Sequence, residues 1–93
     1  MSLRAELTAR ILALPGVEER KSRFADFLAF HVGQREFAHF HSDEELDVRL
    51  TRVCIRELGI EGARTDWVAV PLRTQDDVSA ALELVERALE ASR

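Results

Sequence analysis

Asparagine and tyrosine do not occur in this 93-residue chain, and cysteine, lysine and tryptophan occur once each. Each scarcity closes off a class of protein. A lone cysteine, Cys54, cannot form an internal disulfide, which agrees with a reducing cytoplasm as the working compartment. The longest apolar stretches, Phe27–Phe30 and Trp67–Leu72, reach a third or less of the roughly 20 residues that cross a bilayer. Met1–Glu6 has no apolar signal core, so secretion is not expected. The four glycines, Gly16, Gly33, Gly59 and Gly62, are scattered, and no phosphate-cradling loop can be assembled from them. No cofactor is expected.

The chain is nevertheless 46% apolar, enough for one modest core, and it is expected to form a single domain over residues 1–93. A chain of this length buries only about 60–65% of the surface its unfolded form exposes, so its stability margin is thin and homodimerisation would supplement it. Its net charge is −4, and the distribution runs from +2 over residues 1–23 to −4 over 24–63 and −2 over 64–93. One local basic cluster stands out, Arg20-Lys21-Ser22-Arg23, preceded by Glu18-Glu19. It reads as a solvated, mixed-charge loop. The isoelectric point of about 5.3 weighs against nucleic acid as a partner. Twelve of the thirteen basic residues are arginine, and the rare types are those with A/T-rich codons; this bias points to a GC-rich bacterial genome before it points to a function.

Leu3, Leu7, Ile11 and Leu14 recur at helical spacing behind a capping Ser2, and Pro15-Gly16 ends the helix. Val17–Ser22 reads as a connecting loop. From Arg23 to Leu50 the period changes to two, and three strands fit, about Phe24–Val32, Arg35–His41 and Glu45–Leu50. Gly33-Gln34 leaves only a two-residue turn between the first two. Thr51 caps a short helix reaching about Leu58, with Gly59 as its terminator. Thr65–Leu72 reads as a fourth strand that ends, or lies at an edge, at Pro71. Thr74-Gln75-Asp76-Asp77 opens a final helix carrying Val78, Ala81, Leu82, Val85 and Leu89 on one stripe. The expected order is α-β-β-β-α-β-α. That order makes an α+β, two-layer fold with helices on one face of a mainly antiparallel four-stranded sheet.

The stretch Arg35-Glu36-Phe37-Ala38-His39-Phe40-His41, then Leu46-Asp47-Val48-Arg49-Leu50-Thr51-Arg52, Trp67-Val68 and Leu72-Arg73-Thr74-Gln75-Asp76-Asp77-Val78, resembles a family of small bacterial luciferase-domain proteins over residues 30–92. The name by itself assigns no light-emitting reaction to this chain. Many relatives carry a His-His pair in a longer segment before the tryptophan strand, whereas Gly59–Asp66 is short here and has no histidine. A looser similarity to double-wing domains, some proposed to bind DNA, runs against the acidic balance.

All three histidines fall in the expected hairpin. His39 and His41 are two apart in one strand and share a face. Under a two-residue turn Phe30 pairs with Phe37 and His31 falls on the opposite face; a three-residue turn brings it alongside. His39 and His41, with Asp47 from the next strand, are the candidates for acid–base catalysis or for a metal site. The plainer reading is half-polar packing at an aromatic rim, and a structural zinc site normally needs four ligands. Trp67 and Phe37 join the two histidines as the candidate ligand or interface surface. Phenylalanines on both faces of the hairpin imply that its second face is covered, by a partner subunit or by a ligand. The leading expectation is a cytoplasmic binding or interaction module, homodimeric, with a small-molecule ligand or protein partner and no membrane association. The alternative is a metal-dependent or acid–base enzyme using His39, His41 and Asp47.

Overall fold

The computed structural model describes residues 2–23, 25–62 and 65–92. Helix α1 spans Leu3–Leu12, and the Ser2 side chain accepts the Ala5 N–H at its start. Leu7 and Ile11 are fully buried, with Leu3 and Leu14 packed beside them, so the whole predicted stripe faces the core. Gly16, at φ +79°, turns the chain out of the helix in a left-handed conformation.

Val17–Lys21 is strand β1, not the loop expected of it. Only Val17 is buried, and the four charged residues after it are exposed. The strand is held by its antiparallel ladder to β2, from Val17 opposite Val32 to Lys21 opposite Leu28, and backbone pairing leaves no mark in hydropathy. Charge on an outermost strand also protects that edge from pairing with other chains. Strand β2 spans Leu28–Val32, shorter than the expected Phe24–Val32; Phe24 lies outside the described residues, and a bond from Ser22 N–H to Phe27 C=O closes the preceding loop. Strands β3 (Arg35–Ser42), β4 (Glu45–Arg49) and β5 (Trp67–Pro71) follow, with helix α2 (Arg52–Glu57) between β4 and β5 and helix α3 (Gln75–Ala91) at the end. The sheet therefore has five strands in the order β1-β2-β3-β4-β5, every neighbour antiparallel, and not four. The α+β architecture and the remaining order are as the residue pattern predicts.

The Val53-Cys54-Ile55 run is helical because Thr51 caps it and Ile55 alone needs burial; Gly59, at φ +70°, terminates it. Strand β5 is an edge strand, where Pro71 leaves no ladder bond unmade. At the start of α3, the Thr74 side chain accepts the Asp77 N–H, and the Asp77 carboxylate accepts the N–H groups of Arg73 and Thr74 at 2.8 and 3.0 Å. Those backbone donors, Arg73 first, hold the Asp77 carboxyl below its ordinary pKa.

Register decides which residues reach the core. Val32 pairs with Arg35 and His31 with Glu36 across the two-residue turn, but Phe30 pairs with Ala38. Strand β3 thus holds one extra residue, Phe37, as a β-bulge. Both Phe37 and Ala38 are fully buried with Phe30, and Phe40 packs on the same cluster with its ring 6.0 Å from that of Phe30. A plain two-residue turn predicts Phe27 and Phe40 on the face opposite Phe30 and Phe37; Phe40 instead joins Phe30 and Phe37. Leu46 and Val48 on β4, with Val68 and Val70 on β5, extend this surface under α1 and α3. Burying each such side chain contributes about 1.5–3 kcal/mol.

Candidate functional site

The opposite face of the sheet carries Glu36 and His39 from β3, Asp47 and Arg49 from β4, and Trp67 from β5. Among the described residues no helix lies over it. The loop before β2 reaches across one side instead: Ser22 Oγ and the Arg23 N–H donate to Glu36 Oε1 at 2.8 and 3.2 Å. This leaves Glu36 only 2% exposed. A carboxylate taken out of water needs such donors, because burying it unpaired is prohibitively unfavourable.

His39 is at the centre. Its Nδ1 lies 3.3 Å from Glu36 Oε2 and its Nε2 lies 3.2 Å from Asp47 Oδ2. The Nδ1–Glu36 approach is within ion-pair distance but lacks hydrogen-bond alignment, so both atoms are buried without a hydrogen-bond partner. An imidazolium can offer an N–H toward each carboxylate, whereas a neutral ring offers one. The ring also meets two aromatics at a tilt, 4.8 Å from Phe27 and 4.7 Å from Trp67 between centroids.

The other candidates divide. Asp47 sits directly opposite His39 in the β3–β4 register, as the sequence pattern allows. His41 is exposed, with Nδ1 3.8 Å from the same Asp47 oxygen. The Trp67 ring meets His39 at a tilt of 46°. Phe37, expected beside the histidines, is fully buried in the core and does not reach this face. His31 corrects a second expectation: the turn has two residues, yet the bulge at Phe37 returns His31 to the His39 face, with Nε2 3.8 Å from Glu36 Oε1 and Nδ1 3.2 Å from Ala29 C=O. The phenylalanine argument for a covered second face also loses its premise, since Phe30, Phe37 and Phe40 all serve the helix side and, of the described phenylalanines, Phe27 alone lies against His39. Glu36 and Phe27 are the site residues that pattern reading misses. Nothing in Arg35-Glu36-Phe37 announces a bulge, and Phe27 reads as part of a strand.

Among the described residues no group of three or more His, Cys, Asp and Glu side chains is placed to hold a metal ion. No described helix is long and apolar enough to cross a membrane. A cavity of about 400 Å³ opens beside Trp67, lined also by Ile60, Thr65 and Val68. That is within the size range of small-molecule sites.

The family described as Luciferase domain matches residues 34–88, more than half of the chain. The match takes in Glu36, His39, Asp47 and Trp67, whereas Phe27 and His31 lie before it. No curated protein and no solved structure matches the chain significantly.

Proposed function

The chain belongs to the luciferase-domain family, and from that premise we propose that it is a binding module whose ligand is a small aromatic molecule carrying a hydrogen-bond donor. The observation that carries this reading is the placement of His39, in tilted ring contact with both Phe27 and Trp67 and flanked by two carboxylates on a sheet face that no described helix covers. Trp67 offers a ring to stack on, the adjoining cavity has room for one ring, and Asp47 offers an acceptor to a hydroxyl or amine. The lone Cys54 and the arginine bias support a bacterial cytoplasmic setting.

Trp67 is the single tryptophan, so its fluorescence reports on this face alone. Titration with phenol is expected to change Trp67 emission saturably, and His39→Ala is expected to weaken the binding by about tenfold or more. An unchanged emission, or equal affinity in the variant, overturns the reading. Sedimentation in the same buffer separates the other occupant: a dimer that dissociates in Trp67→Ala assigns the face to a second copy of the chain instead.

A second reading, acid–base chemistry, is favoured by the 3.2 Å approach of Asp47 to His39 Nε2, which would orient the ring. It adds a rate to the binding. Hydrolysis of phenyl acetate that falls in both His39→Ala and Asp47→Asn would support it.

A further inference from the structure

We propose that the cleft between the β2–β3 turn and the end of α3 binds a phosphate-class oxyanion through Arg23, Arg35 and Arg49. The cleft holds about 490 Å³ and is lined by these three arginines with Gly33, Glu36 and Ser92. Three guanidiniums and one carboxylate leave it locally positive in a protein whose net charge is −4.

None of the three arginines has a carboxylate within ion-pair distance among the described residues. The neighbouring cations behave differently. Arg20 is paired with Glu18, and Lys21 with Asp26, so two of the three cations at residues 20–23 are neutralised locally and Arg23 is not. Glu36 is the cleft's one carboxylate, and it is not paired with any of the three guanidiniums: Oε1 takes Ser22 Oγ and the Arg23 N–H while Oε2 faces His39. Arg35 donates from Nε to Ser92 Oγ at 3.1 Å, which anchors its side chain and leaves both terminal nitrogens available.

Arg49 lines the cleft with its Nε buried and without a hydrogen-bond partner, so an anion there would meet its terminal nitrogens and not Nε. The planar fork of guanidinium matches phosphate oxygens two at a time. Three such groups around one cleft suit a doubly charged oxyanion better than a single carboxylate. Arg35 and Arg49 fall within the part of the chain matched by the family, and Arg23 does not.

Calorimetric titration with inorganic phosphate, against chloride at the same ionic strength, tests the cleft without involving the Trp67 face, since phosphate has no ring. Wild-type protein is expected to bind saturably. Arg49→Gln and Arg35→Gln are each expected to bind about tenfold more weakly, and Arg87→Gln, on an exposed part of α3, as wild type does. Phenyl phosphate gives the source of the anion: affinity equal to phosphate means a free ion, and tighter binding means the charged end of a larger ligand. Absence of saturable phosphate binding by the wild-type protein overturns the proposal, whatever the variants do. So does equal binding by wild type and folded Arg49→Gln.

Discussion

The two faces of the sheet are made by the same strands and obey different rules. On the helix side, Phe30, Phe37, Ala38, Leu46 and Val48 are at most 1% exposed and belong to one apolar cluster under α1 and α3. On the other side, Glu36 is nearly as deeply buried, yet what surrounds it is a hydroxyl, a backbone N–H and two imidazoles. The first face is held by removal of surface from water, which is roughly additive and indifferent to direction. The second depends on directed partners, so one misplaced atom matters more than a missing methyl group. Stability is concentrated in the first face and chemical capability in the second.

Three substitutions test that division. Phe37→Ala removes a fully buried ring at the bulge and is expected to destabilise the fold by about 3–5 kcal/mol in chemical denaturation. For a chain of this size that is a large share of the total stability. A loss below about 1 kcal/mol would mean that the bulge does not deliver Phe37 to the core. Glu36→Gln keeps the volume of the side chain but takes away the charge that faces His39. It is expected to lower stability by about 1–3 kcal/mol and to broaden or shift the His39 ring resonances while leaving the core methyl resonances in place. Shifts spread equally over both faces would erase the distinction.

The smallest effect belongs to the helical layer. Asp77 has a folded pKa below its unfolded value of about 3.9, because backbone N–H groups bind its ionised form. Its stabilisation is therefore complete at neutral pH and is lost as pH falls through the folded pKa. Asp77→Asn is expected to lower stability slightly at pH 7 and to reduce the steepness of acid unfolding below about pH 4. An unchanged acid limb would show that the cap at Thr74 does not depend on that charge.

The helices were legible because caps and stripes are local: Ser2, Thr51 and Thr74 each cap the helix that follows, and the buried positions of α1 and α3 keep their helical period. The alternation in β4 was equally clear. Strand β1 was hidden since four of its five residues are charged and its stability lies in backbone bonds to β2. Asp47 opposite His39 and the single-faced grouping of His39 with His41 were within reach of period-two reasoning. His31, Phe37 and Phe40 were not, because one inserted residue reverses every inside-outside assignment beyond it.

The sequence by itself determined an α+β chain with too little apolar run for a membrane span, an apolar stripe on each long helix, and a strand pair bearing His39 and Asp47. Those features are set by neighbours within a few residues, where periodicity and capping chemistry act. Only the tertiary structure decided that Glu36, Phe27 and Trp67 meet His39, and that Arg23, Arg35 and Arg49 gather around one cleft. Those meetings join side chains from separate strands and loops. They depend on register, and register is chosen by the packing of the whole sheet against its helices.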